Sequence, residues 1–238
     1  MESNEPRLSK SSINCYEGCP HRWKLNHIDK LKEKMGPALF NGIKVHNLCE
    51  KFYKGNTTLD EGLDWLGAQD YAKEHPEKFK NFVKFNRNIA DGELIFKPMM
   101  NETRFKNAEY NLSGVVDVVF KDDKGDIIIL DWKTGKNRGV GNHRFELALY
   151  YLLIKGSHPE LNITHWGIFF LDTEREEGET DEKFEKRTFA KEPVNLKEVD
   201  KAILKVNNTR KRINLKEFPK KGKYCNWCGY LGNGCEGI

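Results

Sequence analysis

The segment GVVDVVFKDDKGDIIILDWK, residues 114–133, decides the fold of this chain. Two apolar runs rich in Val and Ile flank the polar stretch 122–126, where Gly125 suits the left-handed position of a three-residue hairpin loop. If the two ends of that stretch pair, the antiparallel register places Asp117 directly opposite Asp131. We therefore predict a β-hairpin whose strands bring two carboxylates together.

A lysine shares the face of the hairpin on which these carboxylates lie. Lys133 follows Asp131 by two residues, and opposed residues such as Asp117 and Asp131 have Cβ atoms about 4.5–5.5 Å apart. The remaining strand positions are apolar on both faces, which indicates buried strands. Two buried carboxylates need a cation or a proton between them, and Mg²⁺ prefers such oxygen ligands. The alternative is that both aspartates lie at frayed strand ends and contact only water.

The pattern on either side of the hairpin indicates the fold class. Helical spacing returns at residues 145–154, where Glu146 and Tyr150 lie one turn apart. From spacing alone, Tyr150 is a core residue with a polar tip. Residues 163–171 are typical of a buried strand and residues 196–213 of a helix, and the first hundred residues are mainly helical. This order predicts an α/β fold with one mixed central sheet.

The helical N-terminal half supplies a further candidate ligand. The spacing Gly42-x3-His46-x3-Glu50 places His46 and Glu50 on one helix face. His46 is a candidate metal ligand, and Glu50 is a candidate to orient it or to hold the metal through water. A lone histidine on an amphipathic helix is more often a packed or surface residue, so the hairpin is what makes His46 a candidate.

Cysteines near the two ends of the chain form a second candidate site. The chain has six cysteines, at positions 15, 19, 49, 225, 228 and 235. The last three have the spacing C-x2-C-x6-C of a metal clasp, which lacks a fourth ligand. Cys19, followed by Pro20, is the preferred candidate for that ligand, and Cys15 competes with it. The spacing leaves zinc and an iron–sulfur cluster open, whereas Cys49 is predicted to pack on an apolar helix face.

Length and composition suit one folded domain. The chain has 238 residues, of which 32% are charged and 38% hydrophobic, so it lies outside the disordered class. No apolar run reaches the length of a membrane span, and the N-terminus lacks the pattern of a signal peptide. We therefore expect a protein that does not insert in a membrane and that resides in the cytoplasm.

A basic segment near the C-terminus is a candidate surface for DNA. Residues 201–223 hold nine Lys or Arg against one acid, a net +8 in a chain of net +4, which leaves −4 for the rest. Such a stripe suits a polyanion, although a solvated helix face is the simpler interpretation. The acid-rich stretch 172–185 is predicted to be an exposed loop. The candidate DNA-binding residues are Arg210, Lys211, Arg212, Lys220, Lys221 and Trp227, the last by stacking on bases or, alternatively, by packing near the cysteines.

The order and spacing of these motifs resemble a known family. Together they resemble the RecB-like branch of the PD-(D/E)XK nucleases, and more narrowly the CRISPR-associated protein four family with its free-standing phage exonucleases. The resemblance spans nearly the whole chain, because it begins at the motif CPHRW, residues 19–23, and ends at the C-terminal cysteines. It includes DWKTG at residues 131–135.

The resemblance implies specific roles for the candidate residues. Lys133 would position the attacking water or help to deprotonate it, and Tyr150 would orient that water or the scissile phosphate. Glu146 stands where the family usually has Gln, which leaves the role of this carboxylate open. The implied ligands of Mg²⁺ or Mn²⁺ are His46, Asp117, Asp131 and the backbone carbonyl of Trp132. The implied ligands of a four-iron–four-sulfur cluster are Cys19, Cys225, Cys228 and Cys235.

The resemblance predicts a metal-dependent DNA exonuclease acting on single-stranded DNA or DNA ends. Its context would be phage replication or recombination, or CRISPR adaptation, with a homo-oligomer or DNA-processing proteins as possible partners. No nucleotide-binding phosphate loop is present, so no helicase motor is expected. The alternatives are a DNA-end-binding subunit without catalysis and a redox or interaction module. The expected parts of the single domain are an N-terminal arm (1–25), a helical region (26–100), a catalytic sheet core (101–200) and a basic helix with the cysteine tail (201–238).

Overall fold

The computed structural model describes residues 6–34, 36–56, 58–88, 97–122, 124–135 and 139–237. In these ranges the chain forms nine α-helices and five strands. The helices are α1 (Lys10–Gly18), α2 (Pro20–His27), α3 (Pro37–Lys54), α4 (Leu59–Ala68), α5 (Asp70–Glu74), α6 (Pro76–Asn88), α7 (Arg144–Ser157), α8 (Asp181–Thr188) and α9 (Leu196–Asn214). The strands are β1 (Met100–Asn107), β2 (Leu112–Lys121), β3 (Ile127–Lys133), β4 (Ile163–Phe170) and β5 (Phe189–Pro193). No described helix combines the length and apolar character needed to cross a bilayer.

The five strands form one mixed sheet in the order β1-β2-β3-β4-β5. All neighbouring pairs are antiparallel except β3 and β4, which are parallel and are connected through α7. A parallel pair needs such a crossover, whereas the antiparallel pairs β1–β2 and β2–β3 follow directly along the chain. The predicted α/β fold with a mixed sheet is therefore confirmed.

The hairpin of β2 and β3 has the register that the turn chemistry predicts. Val118 pairs with Leu130, and the backbone amide of Asp122 donates to the carbonyl of Asp126 at 3.0 Å. Gly125 has a φ of +88°, the left-handed conformation that the loop requires. Asp123, which we also assigned to this loop, lies outside the described residues.

Helices cover both faces of the sheet. One apolar layer joins the sheet to α1, α2, α7 and α9, and the other joins it to α3, α4, α5 and α6. Along β3, Ile127 and Ile129 belong to the α7 layer, and Ile128 belongs to the α3 layer. Asp131 and Lys133 continue the first series, because side chains alternate along a strand. The catalytic candidates of β3 therefore face α7.

Three elements were not predicted from the sequence. Strands β1 and β5 lie at the two edges of the sheet and have mainly polar sequences, so they lack the apolar signal of a buried strand. The prediction of an exposed loop at 172–185 was wrong for its last part, where α8 begins. The Thr180 side chain caps that helix by accepting from the Lys183 amide, and Phe184 is buried in a segment that is otherwise highly charged.

Close packing inside the sheet gives a stability prediction. A Cβ at Gly167 on β4 would lie 2.8 Å from the backbone carbonyl oxygen of Ala190 on β5, which cannot move without shifting the strand. We expect Gly167→Ala to lower the free energy of unfolding by about 1–3 kcal/mol. The matched variant Gly67→Ala meets no atom within 4 Å and should be neutral or stabilising by up to about 1 kcal/mol. Urea denaturation measures both, and equal effects would contradict the packing argument.

Candidate active site

Three neighbouring strands each place one carboxylate at the same level of the sheet. The register of β1 with β2 on either side of Glu102 places it opposite Asp117, and the hairpin register places Asp117 opposite Asp131. Asp117 and Asp131 are only 5% and 1% exposed. The predicted juxtaposition of the two aspartates therefore extends to a third carboxylate, Glu102.

His46 of α3 completes a group of candidate metal ligands with Glu102 and Asp117. One ligand atom from each of the three residues lies within 4.8 Å of the others. Nδ1 of His46 lies 3.3 Å from Oε1 of Glu102 and 3.5 Å from Oδ2 of Asp117. Imidazole nitrogen and carboxylate oxygens at this spacing suit a divalent cation. The residues present therefore fit a metal site.

Glu102 was missed by sequence reasoning, and its backbone is unusual. Its φ of +43° is rare for a residue with a side chain and costs about 1–3 kcal/mol. Such conformations cluster at functional sites. Glu50, which we had considered as the partner of His46, instead lies 3.4 Å from Lys54 through its carboxylate. Its backbone carbonyl accepts from the Asn101 side chain at 2.8 Å, which ties α3 to β1.

Removing the charge of Glu102 tests this assignment. We expect Glu102→Gln to weaken divalent metal affinity by at least about 10–100-fold, the range for loss of a group that only supports a metal ligand, because here one anionic oxygen donor is itself lost. Isothermal titration with Mn²⁺ measures the affinity. The control is Glu50→Gln, since that carboxylate contacts Lys54 instead of the ligand group. Equal affinities for Glu102→Gln and wild type would remove Glu102 from the site.

Tyr150 of α7 bridges the two aspartates. Its hydroxyl oxygen lies 3.0 Å from Oδ1 of Asp117 and 3.1 Å from Oδ1 of Asp131. The backbone amide of Trp132 donates to Oδ2 of Asp117 at 3.0 Å. Burial, followed by the charges of Asp131 and Asp117, raises the pKa of Tyr150 well above its usual value. The tyrosine therefore stays protonated near neutral pH and acts as a hydrogen-bond donor.

Lys133 lies between two carboxylates. Its ammonium contacts Oδ2 of Asp131 and donates to Oε1 of Glu146 at 2.7 Å. A second lysine, Lys10 at the start of α1, contacts the same oxygen of Glu146. Glu146 lies outside the ligand group of His46, and it holds the two amines. Sequence reasoning missed Lys10, because nothing local indicates that the first residue of α1 lies beside Glu146 and Lys133.

The electrostatics of the two aspartates differ. Burial, reinforced by Asp131, raises the pKa of Asp117 to about 7. Burial also acts to raise the pKa of Asp131, but Lys133 and Lys10 outweigh it, and that pKa falls below its usual value. For His46, burial acts to lower the pKa, yet hydrogen bonding to Glu102 and the charges of the aspartates raise it overall. A proton therefore competes with a metal ion at Asp117 and His46.

The second candidate site is a small cavity between α1–α2 and the C-terminal tail. Its lining includes the four predicted ligands Cys19, Cys225, Cys228 and Cys235, whereas Cys15 is not part of it. No three described thiol sulfurs lie within 4.8 Å of one another. A tetrahedral zinc site with Zn–S bonds of about 2.3 Å would place them about 3.8 Å apart. The thiols are thus spread more widely than around one zinc ion. Cys49 is fully buried in the α3 layer, as predicted.

The six candidate DNA-binding residues have different environments. Arg210 donates to the carbonyl of Tyr110 at 2.6 Å, and Lys221 donates to that of Glu17 at 2.8 Å. Each of these two side chains therefore binds a backbone carbonyl of the protein. Arg212 contacts Glu217 at 3.1 Å. The side chain of Trp227 lies outside the described part of the structure. Lys211 and Lys220 are exposed, and Lys220 also borders the cysteine cavity.

The chain is similar to solved structures and matches one family model. Similar solved structures include a protein from Eubacterium rectale described as an exonuclease, with 14% identity, a TM-score of 0.46 and coverage of 95% of this chain and 88% of that one. Another is SSO0001, with 15% identity, a TM-score of 0.45 and coverage of 100% and 89%. The search of curated proteins found no match. A family model described as the PD-(D/E)XK nuclease superfamily matches residues 7–232, nearly the whole chain, and the protein therefore belongs to that superfamily.

Proposed function

We propose that this protein is a metal-dependent deoxyribonuclease that degrades single-stranded DNA or DNA from its ends. The observation that carries the proposal is the proximity of His46, Glu102 and Asp117, together with Asp131 opposite Asp117 in the hairpin and Lys133 in contact with Asp131. This arrangement pairs a ligand group for a hard cation with an amine held beside it. Membership of the nuclease superfamily supports the same reaction class.

The metal would be Mg²⁺ or Mn²⁺, held by His46, Glu102 and Asp117. Asp131 and the backbone carbonyl of Trp132 are further proposed ligands. When bound, such an ion lowers the pKa of a coordinated water and offsets charge on phosphate oxygens. The oxygen-rich donor set supports these hard ions over softer ones.

The side chains around the metal group would orient the reacting atoms. The Lys133 ammonium is held by Asp131 and Glu146, so its donors can be directed at the attacking water or at a non-bridging phosphate oxygen. Tyr150 supplies a hydroxyl donor that burial keeps protonated. Glu146 would act as a positioning residue, because it contacts lysines and is absent from the ligand group.

The cysteine cavity would hold a four-iron–four-sulfur cluster. The proposed ligands are Cys19, Cys225, Cys228 and Cys235, which line one cavity and lie further apart than the ligands of one zinc ion. The choice of an iron–sulfur cluster rests on the family resemblance of the cysteine motif. Bound there, the cluster would connect the N-terminal helices to the C-terminal tail. The free energy of binding the cluster would then contribute directly to the free energy of folding.

The proposed role is DNA processing, as in the CRISPR-associated protein four family or in phage replication. The order of motifs along the chain supports this narrower assignment, and the basic segment 201–223 supports a polyanionic substrate. The protein would act in the cytoplasm, alone, as a homo-oligomer or with other DNA-processing proteins. A DNA-end-binding subunit without catalysis is the competing reading, but it leaves the contacts of Lys133 unexplained.

Cleavage of end-labelled DNA tests the proposed function. Wild type should degrade single- and double-stranded substrates in Mg²⁺ or Mn²⁺ at rates that differ between the two, with no cleavage in EDTA. Lys133→Ala should reduce the rate by at least about 100-fold, since it removes the amine beside the reacting phosphate. The control Lys186→Ala removes an exposed lysine paired with Glu182 and should retain the wild-type rate. DNA binding without metal-dependent cleavage by wild type would favour the end-binding subunit.

A further inference from the structure

The amino end of α1 brings a second lysine to the catalytic carboxylates, and we propose that Lys10 binds a phosphate of the DNA substrate beside Lys133. The inference rests on the proposed nuclease function, since it assigns a contact in that reaction. Lys10 is absent from the motifs that the sequence analysis used. The contact of Lys10 with Glu146 on α7 reveals it.

The fold anchors the backbone of Lys10. The Ser9 hydroxyl accepts from the amide of Ser12 at 3.2 Å, and the Ser12 hydroxyl accepts from the amide of Ser9 at 3.0 Å. This capping box defines the start of α1. The backbone of Leu8 makes two further hydrogen bonds with the start of β2, at 2.8 and 3.1 Å. The residue before and the turn after Lys10 are therefore both anchored, which directs its side chain over the site.

The ammonium of Lys10 lies within the active-site group. It contacts Oε1 of Glu146, the oxygen that also accepts from Lys133 at 2.7 Å. It also lies 5.5 Å from the centroid of the Tyr150 ring, whose hydroxyl bridges the two aspartates. Each ammonium has three donors, so a single shared carboxylate oxygen leaves donors of both lysines available to a substrate.

Exposure distinguishes the two lysines. The Lys10 side chain is 32% exposed, against 21% for Lys133 and 11% for Glu146. Lys10 therefore lies nearer the solvent side from which a DNA strand approaches, and Lys133 lies nearer the buried carboxylates. A compact ammonium there suits a phosphate oxygen, which it can contact as a point charge. Glu146 holds both amines in place before the phosphate arrives.

Binding of a single-stranded oligonucleotide in Ca²⁺ tests the contact, with Ca²⁺ occupying the oxygen ligands in place of Mg²⁺. Lys10→Met keeps the aliphatic stem over Tyr150 and removes the charge. We expect about tenfold weaker binding, the loss of one charge-assisted hydrogen bond. The slope of log K against log salt should become less negative by about 0.7. Lys10→Arg should restore both quantities, and the control Lys186→Ala should change neither.

A double-variant comparison excludes the simpler role, in which Lys10 only neutralises Glu146. In that case Lys10→Met would not change the DNA affinity of a protein that already carries Glu146→Gln, because the carboxylate charge that Lys10 neutralises is absent there. The proposal expects the same tenfold loss in both backgrounds. Thermal unfolding midpoints show that each variant is folded before its affinity is compared.

The outcomes separate this inference from the proposed function. If wild type neither binds nor cleaves DNA, the nuclease function itself is overturned. If wild type cleaves DNA and Lys133→Ala does not, but Lys10→Met binds DNA as tightly as Lys186→Ala, only the role of Lys10 is overturned. A loss of affinity that Lys10→Arg does not restore would also overturn it.

Discussion

Asp117→Asn is expected to reduce DNA cleavage by at least about 10³-fold and, at the same time, to stabilise the metal-free protein at pH 8. Cleavage falls because the substitution neutralises a candidate metal ligand, one of whose oxygens lies within 4.8 Å of ligand atoms of Glu102 and His46. Stability rises because Asp117 is a buried carboxylate beside Asp131, and its pKa is raised to about 7. Its ionised form is therefore unfavourable when no cation is bound. A variant that lost activity through misfolding would not also be more stable than wild type.

The pH dependence follows from the sign of that shift. The pKa of Asp117 in the folded protein lies above its usual unfolded value of about 3.9, so the folded state holds the proton more tightly. The corresponding stability is complete below about pH 4 and is lost as the pH rises through about 7. The difference in unfolding midpoint between variant and wild type should be smallest at pH 5 and largest at pH 8, in EDTA.

Added metal should reverse the order of stability. Mn²⁺ raises the unfolding midpoint of a protein that binds it in the folded state, and the gain grows with concentration relative to the dissociation constant. Wild type should therefore gain stability from Mn²⁺ at pH 8, and Asp117→Asn should gain little. A variant that is less stable than wild type in EDTA at pH 8, or that responds equally to Mn²⁺, would contradict the assignment of Asp117.

If the proposed iron–sulfur cluster is present, Cys225→Ser is expected to lose it together with much of the stability of the C-terminal tail. Anaerobically purified wild type should absorb visible light and contain iron and sulfide, and the variant should lack all three. Structural metal sites contribute several kcal/mol to folding, so the unfolding midpoint should fall by about 10 °C or more. Proteolysis should then cut residues 219–237 first.

Cys15→Ser is the matched control for the cluster. Cys15 lies on α1, one turn before Cys19, but it does not line the cavity. The same substitution should leave the iron content and the visible spectrum unchanged. Loss of the cluster in Cys15→Ser would assign the fourth ligand position to Cys15 instead of Cys19. A colourless wild type with one zinc ion per chain would replace iron with zinc and overturn the proposed cluster.

Not every contact of the tail depends on a cluster. The Tyr230 hydroxyl donates to the carbonyl of Leu31 at 2.8 Å, and the Gly229 amide donates to Glu33 at 3.2 Å. Glu33 in turn accepts from Arg22 on α2, at 2.9 Å. These hydrogen bonds hold the tail against the N-terminal region. They bring Cys19 to the same cavity as the three C-terminal cysteines, although Cys19 precedes Cys225 by 206 positions in the chain.

The hairpin of β2 and β3 could be derived from the sequence because every signal for it is local. A glycine in the loop defines the turn, the turn defines the register, and the register places Asp117 opposite Asp131. The period of two along a strand then assigns Lys133 to the same face. The α/β class followed similarly from the alternation of helical and strand patterns. One-turn spacing placed His46 with Glu50 and Tyr150 with Glu146, but His46 became a candidate only beside the hairpin, and the role of Tyr150 came from the family resemblance.

Other members of the site depended on contacts between distant segments. Glu102 lies on a polar edge strand that has no apolar periodicity, and its positive φ has no signal in the local sequence. Lys10 and Glu146 meet only because α1 packs near α7. Arg210, one of the basic candidates, turned out to hold a backbone carbonyl.

The sequence by itself thus determined the hairpin, its paired aspartates and the lysine beside them, since short-range turn and strand geometry leaves one arrangement for these residues. The tertiary structure alone decided that Glu102 joins His46 and that Lys10 shares Glu146 with Lys133. Their positions depend on how a polar edge strand and an N-terminal helix pack against the core, and that packing is a sum of many long-range contacts that no local pattern encodes.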